Sequence, residues 1–327
     1  MTSWIVVAGG AGFLGSHLGE RLLTDGHRVL AVDDISTGRW ANVEHLRASH
    51  GTAFATLQHD IRTDPTEAIA DATNSEPIEA VVNMASPASP PAYLSRPIET
   101  LEIGSVGTQN LIKVALTHDA RFLQASTSEI YGDPSVHPQP ETYWGNVNPI
   151  GPRAVYDEAK RYGEAICAAY ERHHGLNLRL LRIFNTYGPR MQADDGRVVT
   201  NFVNQALAGK PLTMYGDGSQ TRSFCYVDDL IAGINGLLWS EHRGPMNIGN
   251  PVEFTMLELA EVVLNATGST SEIVRHELPE DDPTQRQPDI TVARRVLGWE
   301  PKVPLAEGID HTVQYFRSIA GDAQSEL

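Results

Sequence analysis

The segment WIVVAGGAGFLG, residues 4–15, joins an apolar run to a cluster of closely spaced glycines. The apolar run predicts a buried strand, and the amphipathic stretch that follows predicts a helix. Between them, Gly10, Gly12 and Gly15 fit G-x-G-x-x-G, and Gly9 opens an overlapping G-x-x-G-x-x-G. Glycines here permit a tight turn and let the backbone approach a pyrophosphate, whose charge the helix N-terminus favours. The segment therefore predicts a dinucleotide-binding unit, rather than a turn that happens to be rich in glycine.

An acidic residue at the end of the second predicted strand bears on which dinucleotide binds. Asp33 follows Gly15 by 18 residues. A carboxylate there accepts hydrogen bonds from ribose hydroxyls and repels a 2′-phosphate, so NAD is the predicted cofactor. Asp60, after the third predicted strand, is a candidate contact for the adenine. The predicted cofactor-binding residues are Gly9, Gly12, Phe13, Leu14, Gly15, Asp33, Asp34, Gly38, Asp60, Ile61, Ala85, Tyr156 and Lys160.

Apolar runs alternate with amphipathic stretches through the first 190 residues. Strands are predicted at 4–8, 28–33, 53–57, 78–85, 121–126 and 177–183, and helices at 13–25, 97–118 and 155–173. This alternation predicts an α/β fold, a Rossmann-type doubly wound parallel sheet with helices on both faces. The later part predicts a smaller α/β substrate-binding lobe, with strands at 212–215 and 223–227 and helices at 198–209, 228–240 and 255–267. The predicted boundaries are 1–188 with 225–245 for the NAD-binding domain, 189–224 and 246–315 for the lobe, and 316–327 for a tail.

Charge and composition exclude several classes of partner. The formal net charge is −16, so the surface repels nucleic acid and anionic lipid. No apolar run is long enough to span a membrane, and the first residues lack a signal-peptide pattern. Cys167 and Cys225 are the only cysteines and have no paired spacing. These features predict a cytoplasmic protein without a metal site.

The segment GPRAVYDEAK, residues 151–160, places Tyr156 and Lys160 four residues apart, on one face of a predicted helix. A free phenol has a pKa near 10 and is a poor base at neutral pH. A cation about 5 Å away lowers that pKa by roughly 2 units, and both Lys160 and an oxidised nicotinamide could supply one. The pair therefore predicts an acid–base device for oxidising an alcohol, although an ordinary solvated helix face has the same spacing. Thr127 or Ser128, after the strand at 121–126, is expected to steady the alcohol.

Together, the glycine loop, Asp33, Thr127 and YDEAK resemble the extended short-chain dehydrogenase/reductases that modify nucleotide sugars. The resemblance covers nearly the whole chain. The more specific segments SPASPP (86–91), NPIGPR (148–153) and RQPDI (286–290) are most similar to the UDP-glucuronate decarboxylase branch. That branch oxidises carbon 4 with NAD, decarboxylates the 4-keto uronate and re-reduces it to UDP-xylose. The alternatives are a UDP-glucuronate 4-epimerase, another NDP-sugar epimerase or dehydratase, or a non-catalytic NAD-binding sensor.

The resemblance also implies roles for individual residues. Glu129 corresponds to the active-site acid, and sugar dehydratases carry an Asp-Glu pair where this chain has Ser128-Glu129. A glutamate beside a substrate carboxylate is expected either to have a raised pKa or to destabilise that carboxylate. The implied catalytic set is Tyr156, Lys160, Thr127, Ser128, Glu129 and Arg286, and the implied substrate-binding set is Pro87, Tyr93, Asn185, Arg197, Tyr215, Arg222 and Arg286. The alternatives are a solvent-facing Glu129 and a surface ion pair of Arg286 with Asp281, Asp282 or Asp289.

A UDP-sugar acid would need a local cluster of positive charge on so acidic a protein. Five arginines of the second half are candidates for that cluster: Arg182, Arg190, Arg197, Arg222 and Arg286. Arg182 and Arg190 could instead be structural. The family also implies a homodimer, for which the helices at 97–118 and 155–173 are the candidate faces.

Overall fold

The structure, a computed structural model, describes residues 3–277 and 285–325. The strands are β1 Trp4–Ala8, β2 Arg28–Asp33, β3 Phe54–Gln58, β4 Ile78–Asn83, β5 Arg121–Thr127, β6 Asn177–Ile183, β7 Thr186–Tyr187, β8 Leu212–Tyr215, β9 Thr221–Ser223, β10 Cys225–Tyr226, β11 Pro245–Ile248, β12 Glu253–Thr255, β13 Ile273–His276 and β14 Gln285–Arg286. The helices are α1 Phe13–Thr24, α2 Glu44–His50, α3 Thr66–Ala72, α4 Pro90–Ser95, α5 Pro97–Glu102, α6 Thr108–Thr117, α7 Ala154–His174, α8 Val198–Leu207, α9 Val227–Trp239, α10 Met256–Thr267, α11 Thr291–Leu297 and α12 Leu305–Ser325.

A seven-stranded sheet forms the centre of the molecule, in the order β11-β6-β5-β4-β1-β2-β3. Each neighbouring pair in it is parallel. Alternate residues of each strand enter two separate apolar cores: Ile5 and Val7 of β1 lie in one, and Val6 and Ala8 lie in the other. Helices cover both faces, which explains why the strands read as unbroken apolar runs. The predicted doubly wound Rossmann-type sheet is confirmed.

The predicted elements of the first half agree with the structure to within one or two residues, except for the helix at 97–118. That helix is divided into α5 and α6 by a turn of π-helix at Ile103–Gly107. Two glycines lie in this turn, and glycine is a poor helix former. A Cβ on Gly104 would lie 2.8 Å from the Cβ of Ala159 in α7, so glycine also permits the close approach of the two segments.

The second half adds small sheets beside the carboxyl ends of the central strands. β9 lies between β12 and β14 and is parallel to β14, in a register that pairs Arg222 with Arg286. The predicted strand at 223–227 is instead two short strands in different sheets. Residues 245–248 pair with β6 at the edge of the central sheet, although 246–315 were assigned to the substrate lobe by sequence. The division of the chain into two lobes stays a prediction.

The end of the chain differs from the predicted tail at 316–327. α12 continues to Ser325, and Phe316 within it is buried in the larger apolar core. Across the described ranges, no helix has the length and apolar character needed to cross a membrane.

Candidate active site

A cavity of about 830 Å³ lies where β1, β2, β4, β5 and β6 end and the second half of the chain begins. Nearly all of the residues that were predicted to bind the cofactor, to take part in catalysis or to bind the substrate line this cavity. These are Gly9, Gly12, Phe13, Leu14, Gly15, Asp33, Asp34, Asp60, Ile61, Ala85, Pro87, Tyr93, Thr127, Ser128, Glu129, Tyr156, Lys160, Asn185, Arg197, Tyr215, Arg222 and Arg286. Gly38 is the exception. In open parallel α/β sheets, ligands bind beyond the carboxyl ends of the strands, at the point where the strand order reverses.

The glycine loop between β1 and α1 forms a cradle that only glycine fits. A Cβ on Gly15 would lie 2.0 Å from the carbonyl oxygen of Gly9. Gly9 has a positive φ of 75°, and a Cβ there would lie 2.8 Å from the backbone nitrogen of Ala85. The backbone therefore turns tightly and stays open toward the N-terminus of α1, as the binding of a pyrophosphate requires. The donor set of the loop fits a dinucleotide.

Asp33 lies at the end of β2 with its carboxylate fixed beside this loop. Its two oxygens accept hydrogen bonds from the backbone nitrogens of Ala11 and Ile35, each at 2.9 Å. Burial raises its pKa, and the two hydrogen bonds oppose that shift. Each oxygen keeps a further lone pair for a ribose hydroxyl. Gly38 does not line the cavity. Because it has no Cβ, it leaves room for the Asp33 carboxylate, from which a Cβ at this position would lie 2.8 Å.

Asp60 lines the cavity after β3, but its carboxylate already has a partner. Arg62 approaches it to 2.7 Å, and hydrogen bonding to this guanidinium lowers the pKa of Asp60. A contact with adenine would therefore involve an ionised, arginine-bound carboxylate.

Tyr156 and Lys160 lie one turn apart in α7, and both are buried. The Lys160 Nζ lies 5.7 Å from the centre of the Tyr156 ring and donates a hydrogen bond to the carbonyl oxygen of Ala125 at 3.0 Å. Thr127 lines the same cavity, and its side chain tends to lower the pKa of the Tyr156 phenol. On the other side, the ring of Tyr93 stacks on that of Tyr156, with centroids 5.1 Å apart and planes inclined by 10°. The phenol is thus held in place by its neighbours.

The pKa of Tyr156 depends on how its phenol is buried and on the charges around it. Burial raises the pKa of the phenol, the negative charge of Glu129 adds to the rise, and the side chain of Thr127 opposes it. Burial also lowers the pKa of Lys160 to about 8. Burial therefore dominates the pKa of Tyr156 when no cofactor is bound, because removing a phenolate from water is costly. The predicted lowering, which includes the charge of an oxidised nicotinamide, stays a prediction.

Glu129 lies just after β5, between two arginines. Its Oε2 is 2.9 Å from the Arg153 Nη2, and its Oε1 is 3.1 Å from the Arg286 Nη1. Burial raises the pKa of Glu129, but the charges of Arg286 and Arg153 outweigh burial and lower the pKa to about 2. Without a bound substrate, Glu129 is therefore an anion held between two arginines. The expected effect of a neighbouring substrate carboxylate, either a raised Glu129 pKa or a destabilised carboxylate, stays a prediction.

Arg286 is buried, with only 2% of its surface exposed, which excludes a surface ion pair. Its Nη1 donates to the Ser128 hydroxyl at 3.1 Å, and its Nη2 donates to the Gly132 carbonyl oxygen at 3.0 Å. Of the alternative partners, Asp281 and Asp282 lie outside the described residues. Arg286 thus holds the turn that carries Ser128 and Glu129.

The other residues predicted to bind the substrate differ in their contacts and in their exposure. Arg197 is paired with Asp195, with its Nη2 2.8 Å from the Asp195 Oδ2. Tyr215 is 46% exposed at the mouth of the cavity. Arg182 does not reach the cavity, since it pairs with Glu164 at 2.8 Å and supports the sheet. The remaining arginine candidates all line the cavity: Arg190, Arg197, Arg222 and Arg286.

Sequence reasoning did not assign a role to Arg153 or Asp157. Both flank Tyr156 at the start of α7, and Arg153 lines the cavity. Asp157 is buried, and burial together with the charge of Glu129 raises its pKa to about 7. Sequence did offer one signal for Arg153, its position. It precedes Tyr156 by three residues, a spacing that places two side chains near the same face of a helix.

Replacing Asp157 with asparagine is expected to stabilise the fold at pH 8. The folded pKa lies above the unfolded value near 4, so the folded state binds more protons and loses stability as pH rises from about 4 to about 7. We expect the gain in unfolding free energy at pH 8 to exceed the gain at pH 5 by about 2 kcal/mol. Urea unfolding at the two pH values measures it. Glu158→Gln, at the next and less buried position, is the control and should show no such difference.

The sheet, the glycine cradle and the placement of Asp33 define a Rossmann-type dinucleotide-binding protein. Residues 5–249 match the NAD dependent epimerase/dehydratase family. The chain belongs to this family, and its cofactor is NAD. Among the described residues, no three His, Cys, Asp or Glu side chains group so as to hold a metal ion.

Curated proteins and solved structures in this family are similar to the chain. The chain is 49% identical over 316 residues to UDP-glucuronic acid decarboxylase 1 of Danio rerio, covering 95% of this chain and 72% of the relative. UDP-glucose 4-epimerase of Thermotoga maritima, solved with UDP-glucose, is 30% identical with a TM-score of 0.88, covering 97% of this chain and 99% of the other. UDP-glucuronic acid 4-epimerase of Bacillus cereus, solved with UDP-glucuronic acid and NAD, is 26% identical with a TM-score of 0.84 and the same coverage.

Proposed function

We propose that the protein is a UDP-glucuronate decarboxylase, an NAD-dependent carboxy-lyase that forms UDP-xylose. The observation that carries this proposal is the cluster of Glu129, Arg153 and Arg286 beside Tyr156 in one cavity. The relative from Danio rerio, which bears that activity in its name, supports it. Sugar dehydratases carry an Asp-Glu pair where this chain has Ser128 and Glu129. Ser128 accepts a hydrogen bond from Arg286 and offers no second carboxyl group.

The cofactor would be held by the glycine cradle and by Asp33 at the end of β2. When bound, NAD supplies a reversible hydride acceptor for carbon 4 of the sugar. Tyr156 is protonated at neutral pH because its pKa is raised. To accept the proton of the sugar hydroxyl, the phenol must first release its own proton. Positive charge beside the phenol, of which Lys160 supplies part, stabilises the phenolate that results. Thr127 lies in the same cavity and favours the phenolate form, because its side chain tends to lower the pKa of Tyr156.

Oxidation of carbon 4 places the carboxylate of carbon 5 in the β position to a ketone. Loss of carbon dioxide then leaves the electron pair in an enolate, and Tyr156 can donate a hydrogen bond to its oxygen. A proton from water takes the place of the lost group at carbon 5. The hydroxyl of Tyr156 returns its proton to the carbon 4 oxygen during reduction, so the residue ends the cycle as it began.

The charges along the cavity oppose those of the rest of the protein. The whole chain carries a formal charge of −16, yet Arg153, Arg197, Arg222 and Arg286 all line the cavity. Glu129 compensates one of them, and Asp195 compensates another. Guanidinium groups on this wall of the cavity suit a diphosphate joined to a sugar acid, which the acidic outer surface would otherwise repel.

The test is to incubate the protein with UDP-glucuronate and NAD⁺ and identify the products by mass and proton NMR. A UDP-pentose lacking carbon 6, formed with one equivalent of carbon dioxide, is the expected result. A product that keeps the carboxylate would instead identify a 4-epimerase. No turnover at all would leave only NAD binding and would contradict the proposal.

We also propose a homodimer in the cytoplasm. Exposed apolar side chains lie along α4, α5 and the π-turn, namely Leu94, Ile98, Leu101 and Val106, and Tyr162 of α7 is exposed as well. Both cysteines are free, as expected of a reducing compartment. Light scattering after gel filtration should give twice the monomer mass, and Ile98→Asp should give the monomer. A monomeric wild-type protein would contradict the dimer.

A further inference from the structure

We propose that Arg96 and Gln192 hold the loop at 34–39 against the cofactor and thereby slow the release of NAD. Both side chains donate hydrogen bonds to backbone carbonyl oxygens of this loop, which follows β2. The inference takes NAD as the cofactor, which the family establishes, and only its importance for the reaction rests on the proposed function. That reaction takes a hydride from the sugar and later returns it, so NADH has to stay bound in between.

The loop at 34–39 forms a wall of the cavity beside the glycine loop. It is fixed at its start, where the backbone nitrogen of Ile35 donates to the Asp33 carboxylate at 2.9 Å. It is fixed at its end, where the backbone nitrogen of Arg39 donates to the Ala11 carbonyl oxygen at 3.1 Å. The residues between these two points that line the cavity are Ser36 and Thr37.

The backbone of this loop is strained. Ile35 has a φ of 63°, in the left-handed region that a β-branched residue rarely adopts. Such a conformation persists only where neighbouring contacts determine it, and it is common at segments that hold a ligand. The loop therefore depends on contacts from other parts of the chain to keep its shape.

Arg96 and Gln192 supply such contacts from two different segments. Arg96 lies between α4 and α5, and its Nη1 donates to the Ser36 carbonyl oxygen at 2.9 Å. Gln192 lies between β7 and α8 and lines the cavity, and its Nε2 donates to the Thr37 carbonyl oxygen. Two consecutive carbonyl groups of the loop are thus held by side chains that the sequence places far from it.

The two segments that carry Arg96 and Gln192 also pack against each other. Pro91 lies in the first segment and Gly196 in the second, and both line the cavity. Gly196 has a φ of 84°, and a Cβ there would lie 2.6 Å from the Cγ of Pro91, so only glycine permits this approach. The loop at 34–39 and the two segments therefore form a closed ring of contacts at the cavity. We expect release of the cofactor to require the opening of at least one of these contacts.

The test measures the rate at which NADH leaves the protein when no sugar is present. Excess NAD⁺ displaces bound NADH, and the change in NADH fluorescence in a stopped-flow instrument gives the rate constant. Arg96→Ala and Gln192→Ala should each raise this rate about 3- to 10-fold, because each removes one hydrogen bond. The double variant should raise it about 10- to 100-fold.

A second measurement separates this role from a general loosening of the cavity. The affinity for UDP, measured by calorimetry, should change less than about 2-fold in each variant. The reason is that the two hydrogen bonds hold a loop that the substrate is not predicted to contact.

Further variants test whether hydrogen bonding is the cause. Gln192→Glu keeps the size of the side chain but removes the donor, so it should release NADH as fast as Gln192→Ala. Arg96→Lys keeps a donor and should restore part of the wild-type rate, which guards against a folding artefact. Arg47→Ala breaks a hydrogen bond to Thr56 outside the cavity, and this matched control should release NADH as the wild type does.

Wild-type release rates in both Arg96→Ala and Gln192→Ala would overturn the proposal. A wild-type rate in Gln192→Glu would also overturn it, as would an equal loss of UDP affinity in the variants that release NADH faster. These outcomes are separate from failure of the proposed function, because no sugar takes part in the measurement. If no pentose forms but these variants release NADH faster, the role of the loop stands and the decarboxylase does not. If pentose forms and the release rates are unchanged, the reverse holds.

Discussion

Replacing Tyr156 with phenylalanine is expected to lower the turnover of UDP-glucuronate about 1000-fold, because the change removes only the hydroxyl that takes and returns a proton. The ring keeps its stacking on Tyr93, with centroids 5.1 Å apart, so the cavity should keep its shape. We therefore expect the dissociation constant of UDP-glucuronate to change less than about 3-fold. Release of carbon dioxide and calorimetric binding measure the two quantities.

The matched control for this substitution is Tyr170→Phe, which removes a phenol from the same helix outside the cavity. It should retain wild-type turnover. If Tyr156→Phe and the wild type turned over substrate at the same rate, the acid–base role would be refuted. If neither turned over any substrate, a binding function on the same fold would be favoured.

Replacing Gly15 with alanine is expected to weaken NAD⁺ binding by about 100-fold or more. The added Cβ would lie 2.0 Å from the Gly9 carbonyl oxygen, which is a backbone atom and cannot rotate away. The turn must shift to relieve the overlap, and overpacking of this kind typically costs about 3 kcal/mol, equivalent to about 100-fold in affinity. Titration with NAD⁺, followed by tryptophan fluorescence or calorimetry, gives the dissociation constant.

Gly19→Ala is the matched control, since it makes the same chemical change one turn further along α1. Its Cβ would lie 3.7 Å from the Cγ1 of Val29, an ordinary van der Waals distance. It should bind NAD⁺ as the wild type does. Equal affinities for Gly15→Ala and the wild type would mean that the loop does not hold the cofactor in the way proposed.

The sheet could be predicted closely because its signals are local. Strands such as β1 and β6 begin and end where apolar runs do, and Gly12 precedes α1 at the turn that the glycine pattern requires. The π-turn between α5 and α6 was not predictable in this way. It depends on the contact of Gly104 with Ala159, which is 55 residues away in the chain (159 − 104).

Which residues line the cavity could largely be predicted from sequence, but their pKa shifts could not. The direction of the pKa shift at Tyr156 depends on how deeply α7 is buried, and that at Glu129 depends on two arginines brought in from α7 and β14. Arg153 was passed over because its motif was read only as a mark of resemblance. Its contact with Glu129 was not predictable, because a long loop of the chain separates the two residues.

The pairing of Glu129 with Arg286 joins residues that are 157 positions apart. A ribosome therefore releases the glycine loop, Asp33 and the tyrosine–lysine helix long before it releases β14. A nascent or truncated chain that ends before β14 can carry the nucleotide-holding parts, but its glutamate lacks the guanidinium that fixes it. The order of synthesis thus keeps the reactive centre incomplete until β14 has emerged.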